Sequence, residues 1–232
     1  MAIASRPTVL ADVIVPSHWV QTQVNRAVVD FALMFGFAWF VTLFAQFAIR
    51  LPWTPVPITG QTFAVLVAGG ALGAWRGAGS LLIYMVMGMI AIPVFAPSQS
   101  ALGMDGTWGA HVLFPWLGSS GFPWALASGG YIVGFILAAW VVGWFAEKSW
   151  DRKYLGLLSM LAANAILYVP GLIWLNIDAA GGDWAKTLEW GLYPFIVGDL
   201  MKLYAATLTL PAAWALVKKI RPDVDTDDSA EG

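Results

Sequence analysis

The stretch AVVDFALMFGFAWFVTLFAQFAI (27–49) carries a single charged residue, Asp30, in 23 positions. A helix rises about 1.5 Å per residue, so this run is long enough to cross the roughly 30 Å hydrocarbon core of a bilayer. Arg50-Leu51-Pro52 ends it, because proline has no N–H for a helical ladder. Working outward, five more apolar runs follow at 61–75, 79–95, 123–146, 154–175 and 190–217. The runs at 61–75 and 79–95 meet at Arg76-Gly77 and predict a tight helical hairpin. They are short, so they span only with polar ends or a thinned bilayer; a re-entrant pair is the alternative. The loop 51–60, with three prolines, is expected to be extended, and the Gly-, Pro- and Trp-rich connector 96–122 has no helical periodicity.

Composition agrees. The chain of 232 residues is 59% hydrophobic and 11% charged, whereas a soluble domain carries about 25% charged residues. The expectation is an all-α membrane protein, a six-transmembrane-helix bundle over 27–220. A cytoplasmic or interfacial segment at 1–26, with room for a short helix, precedes it. An acidic disordered tail at 221–232 follows. Basic residues orient the bundle. With both termini in the cytoplasm, Arg6, Arg26, Arg76, Lys148, Arg152, Lys153, Lys218, Lys219 and Arg221 lie inside, and Arg50 and Lys186 lie outside. The long connectors then face outward. A multi-pass protein of a prokaryotic plasma membrane is the corresponding localisation.

Several function classes are disfavoured. A net charge of −2 and the lack of a basic run give no nucleic-acid footprint. With no cysteine there is no disulfide and no thiolate site. His18 and His111 are too isolated for a metal centre, and no cofactor is expected. No paired carboxylates or activated nucleophile mark an enzyme. No Gly-Lys dipeptide, and so no P-loop, occurs; ATP-driven transport would need another chain to hydrolyse the nucleotide.

Asp199 and Lys202 stand three apart within the last run and share a helical face. Each charge alone costs about 2.5–3.5 kcal/mol at mid-membrane, which points to a ligand site or a structural ion pair. Thr59 and Gln61, at the start of the second run, are polar where an outer cavity would open; Thr59 is a candidate N-cap. Tyr131 lies in the Gly-rich stretch 128–135, whose small residues permit close approach by a helix or a ligand. Asn164 needs a partner within lipid. Ala32 and Gly36 form a small-residue patch on the first helix, while Asp30 is expected to face water. Trp53, Trp108 and Trp116 are candidates for an outer lid; most other tryptophans suit lipid interfaces.

Four stretches together resemble the biotin-specific substrate-binding (S) subunit of energy-coupling-factor (ECF) transporters, the BioY family: VPITGQT (56–62), LLIYMVMGMIAIPVF (81–95), SGGYIVGF (128–135) and PFIVGDLMK (194–202). They occur in the expected order and cover nearly all of the membrane region. The segment between Phe95 and Ser128 is longer than the family pattern. The resemblance implies a six-helix subunit that binds biotin from the outside, for uptake with a T subunit and two ABC-type ATPase subunits. It also implies substrate contacts at Thr59, Gln61, Tyr131, Asn164, Asp199 and Lys202, a lid residue at Trp53, and a T-subunit contact at Ala32 and Gly36. The rival readings are an S subunit for another vitamin and a stand-alone biotin transporter.

Overall fold

The computed structural model describes residues 9–15, 19, 22–97, 109–113, 116–152 and 155–220. His18, Trp108, Arg6, Lys153, Arg221 and the acidic tail lie outside them. The chain is mostly helical. A short α1 (Leu10–Ile14) precedes α2 (Gln23–Ala45), α3 (Gln61–Leu72), α4 (Ala74–Met89), α5 (Gly129–Ala146), α6 (Leu155–Asp178), α7 (Trp184–Gly191) and α8 (Ile196–Ile220). Four of these, α2, α5, α6 and α8, are long and apolar enough to cross a membrane. The helices α3 and α4, with 12 and 16 residues, are shorter.

Boundaries follow local chemistry. Thr22 caps α2 by accepting from the Asn25 N–H at 3.1 Å. The hairpin turns at Gly73 rather than at Arg76-Gly77, because Gly73 has the positive φ of +84° that favours glycine. Arg76 therefore belongs to the first turn of α4. Glu147, at the end of α5, reaches across and accepts from the Ala74 N–H at 2.9 Å, satisfying an orphan donor at the start of α4. The last run divides in two. Asp183 caps α7 by accepting from the Ala185 and Lys186 N–H groups. The chain then turns through Pro194 before α8 begins at Ile196.

The helix α5 is central and packs against α3, α4 and most extensively α6. Its glycines permit this closeness: a Cβ on Gly134 would lie 2.5 Å from the Leu167 carbonyl oxygen. Ala138, Ala139, Ala64, Ala68 and Ala163 fill the same core.

A three-stranded antiparallel sheet joins the loops at one end, an addition to the expected all-helical architecture. It comprises β1 (Ala48–Arg50), β2 (Ile58–Thr59) and β3 (Gly109–His111), in the order β2-β1-β3. Ala48 pairs with both Thr59 and His111. Strands of two or three residues carry too little alternation to be read from sequence. Nearby, Phe95 and Ser119 exchange backbone hydrogen bonds at 2.9 and 3.1 Å. At the opposite end, Arg76 pairs with Asp12 at 2.7 Å and Asp30 at 3.2 Å, joining α1, α2 and α4. Asp30 is thus held in an ion pair rather than free in water.

Candidate binding site

Beneath the sheet lies a cavity of about 460 Å³, within the usual range of roughly 300–1,000 Å³ for small-molecule sites. The N-terminal turns of α3, α5 and α8 converge on it, with Tyr84 of α4 and Leu167 and Tyr168 from the middle of α6. Its walls are aromatic on several sides, with polar groups concentrated on α3 and α8.

Asp199, in the first turn of α8, is the most heavily bonded of these groups. It is buried, and its Oδ1 accepts from Lys202 Nζ at 2.7 Å and Thr62 Oγ1 at 3.4 Å. Its Oδ2 accepts from the Tyr168 hydroxyl at 2.6 Å. A buried carboxylate needs such partners, since an unpaired charge in a low dielectric is strongly unfavourable. Tyr168 also meets the Tyr131 ring edge-on, with centroids 5.9 Å apart. Tyr131 donates its hydroxyl hydrogen to the Gly191 carbonyl at 2.7 Å and so ties α5 to the end of α7.

Gln61, in the first turn of α3, is also buried. Its Nε2 donates to the Tyr84 hydroxyl at 2.7 Å, and its Oε1 accepts from Thr59 Oγ1 at 2.9 Å. The N-cap of α3 is Gly60, not Thr59; the Thr59 hydroxyl orients Gln61 instead. Arg50, at the end of β1, completes the polar lining. It is buried and donates to the carbonyls of Pro55 and Pro97. Burial lowers its guanidinium to about 10, so it remains charged at neutral pH.

The cavity therefore brings together Thr59, Gln61, Tyr131, Asp199 and Lys202. Asn164 is not part of the lining. It sits one helical turn before Tyr168, and its buried Oδ1 has no partner among the described residues. Trp53 is exposed in the β1–β2 loop, and Trp116 donates to the Pro93 carbonyl at 3.0 Å; neither lines the cavity. Among the lining residues that escaped the sequence reading are Arg50, Thr62, Tyr84 and Tyr168. Thr62 was adjacent to a chosen position, and Tyr168 is a polar-tipped residue in an apolar run four positions after Asn164. Ala32 and Gly36 lie on an open face of α2, where a Cβ added to Gly36 would meet nothing within 4 Å.

The BioY family pattern matches residues 20–219. A biotin transporter BioY from Thermotoga maritima is 34% identical over 160 residues, covering 69% of this chain and 82% of the relative. One from Rhizobium etli is 30% identical over 168 residues, covering 69% of this chain and 79% of the relative. A crystal structure of the S-component for biotin from an ECF-type ABC transporter superposes with a TM-score of 0.59 at 18% identity. That match covers 87% of this chain and 95% of the other, and it establishes a shared S-component fold. With the sequence pattern, the relatives and the fold in agreement, this chain belongs to the BioY family.

Proposed function

We propose that the protein is the biotin-binding substrate-specificity subunit of an ECF-type vitamin transporter. It captures biotin from the outside in the cavity below the sheet. The observation that carries this reading is the buried Asp199 network, set in an aromatic cavity of small-molecule size in a chain of this family. Biotin presents a ureido ring, an apolar sulfur-containing ring and a carboxylate tail. Ureido N–H groups need a strong acceptor, and Asp199 supplies one. The ureido oxygen needs donors, and Gln61, held by Thr59 and Tyr84, supplies an amide. Tyr131 covers the apolar ring, and Lys202 pairs with Asp199. Asn164 supports the wall from below, and Trp53 serves as a lid over the cavity mouth.

Six spans, with α3 and α4 as short crossings and both termini cytoplasmic, place the sheet end outside in a prokaryotic plasma membrane. Lys148, Lys218 and Lys219 cluster at the other end, in keeping with a positive cytoplasmic face. In this reading ATP hydrolysis belongs to two ABC-type ATPase subunits, coupled through a T subunit; the lack of a Gly-Lys dipeptide in this chain is in keeping with that. The open Ala32–Gly36 face of α2 is the contact for that subunit. Equilibrium binding of labelled biotin to the purified protein tests the reading. Saturable binding, displaced by unlabelled biotin but not by other vitamins, is expected. Its absence would remove biotin as the ligand.

A further inference from the structure

Three charged side chains line the cavity: Arg50, Asp199 and Lys202. Two of them neutralise each other in the 2.7 Å Asp199–Lys202 pair. Arg50 has no such partner. It is only 6% exposed, yet among the described residues no carboxylate pairs with it. Among the described residues its guanidinium donates to the carbonyls of Pro55 and Pro97, and its Nε has no acceptor. Carbonyls orient a guanidinium but do not cancel its charge. Among the described residues, the cavity thus carries one buried cation without a carboxylate partner and a donor on it without an acceptor. Such an arrangement is unfavourable by itself and becomes favourable when an anion enters.

We infer that Arg50 receives the carboxylate tail of the ligand and makes the cavity selective for a monoanion. This rests on the biotin reading above and extends it to the opposite end of the molecule. Biotin fits the charge balance: its ureido bicycle is neutral and meets the already neutralised Asp199–Lys202 pair, while its tail carries one negative charge. Arg50 belongs to β1 and accordingly sits in the sheet over the bundle. The tail therefore lies toward the loops, with the bicycle toward the helices. The planar guanidinium suits a carboxylate better than an ammonium would, because its forked donors match the two oxygens.

The test compares biotin with biotinamide, which keeps the bicycle and replaces the charged tail by a neutral amide. Each is titrated against the full chain in detergent. The unaltered protein is expected to bind biotin more tightly by about ten- to hundredfold, the range of a hydrogen bond to a charged group. Arg50→Gln is expected to weaken biotin by a similar factor and leave biotinamide unchanged, so that the preference disappears. Arg50→Lys, which keeps the charge without the fork, should restore part of it. If both ligands weaken equally in Arg50→Gln, the residue is structural and the proposal fails. It also fails if the variant keeps the full preference. Equal affinities in the unaltered protein overturn it without any variant, which covers the case of a misfolded Arg50→Gln. Binding of neither ligand by a monodisperse unaltered protein would defeat the biotin reading itself.

Discussion

Asp199 has both carboxylate oxygens engaged, by Lys202 and Thr62 on one side and Tyr168 on the other. Replacing it by Asn keeps the shape and removes the charge that ureido N–H groups would meet. Asp199→Asn should weaken biotin by at least about tenfold while the protein remains monodisperse on size exclusion. Unchanged affinity by titration calorimetry would take Asp199 out of the site. Tyr168→Phe removes one charge-assisted hydrogen bond and should give a smaller loss in the same assay, about three- to tenfold. The pH response follows from Arg50, whose burial brings it down to about 10. A cation whose folded value is depressed costs stability below that value, and the cost is relieved only as pH rises through it. At about pH 7 to 9 both Arg50 and a carboxylate ligand hold their charges, so biotin affinity should be flat there and fall above about pH 10. A titration midpoint near neutrality would contradict this. Only part of the network was legible. Asp199 and Lys202 were visible as a pair because three positions on a helix enforce proximity. Thr62 and Tyr168 reach Asp199 from 137 and 31 residues away, which no local pattern encodes.

The α3–α4 hairpin depends on one backbone position. Gly73 has a φ of +84°, and a Cβ there would lie 2.7 Å from Glu147 Oε1. Gly73→Ala therefore strains the turn and displaces the carboxylate that caps α4. A loss of at least about 1 kcal/mol is expected, seen as a lowered thermal midpoint in detergent. Glu147→Ala should share part of that loss. The sequence reading placed the turn at Arg76-Gly77, since composition alone does not say which glycine takes the positive φ. The division of the final run was hidden for a similar reason: its hydrophobicity is continuous, and only the short turn through Leu192 and Pro194 separates α7 from α8. The helix α2 is the least buried of the spans. Val24, Val28, Phe31, Phe35, Trp39 and Leu43 are exposed along it at helical spacing, beside Ala32 and Gly36. Lipid satisfies such a stripe, but small residues in its midst favour a close-packed helix. Gly36→Trp, at a position where an added Cβ meets nothing within 4 Å, should preserve biotin affinity and abolish co-purification with the proposed T subunit. Retained co-purification would move the contact elsewhere.

The whole molecule separates two ends chemically. One carries the sheet, the cavity mouth, Arg50 and Lys186; the other carries the Arg76–Asp12–Asp30 cluster and most of the described basic residues. Hydrophobic runs predicted the bundle because lipid demands long apolar helices. The sheet was not readable, because it forms where two distant connectors, α2–α3 and α4–α5, pair with each other. Which end faces outward is the remaining consequence of the charge pattern, and the composition makes it directly measurable. The chain has no cysteine, so any single substitution introduces a unique thiol. Trp53 is 54% exposed in the sheet-end loop, and Trp75 is 82% exposed near the Gly73 turn at the opposite end. With the positive face in the cytoplasm, Trp53→Cys should react with a membrane-impermeant maleimide on intact cells. Trp75→Cys should react only after the membrane is opened. The reverse pattern would invert the bundle and leave the cavity facing inward, incompatible with capture from outside. Labelling of both on intact cells would mean that α3 and α4 re-enter the same face instead of crossing.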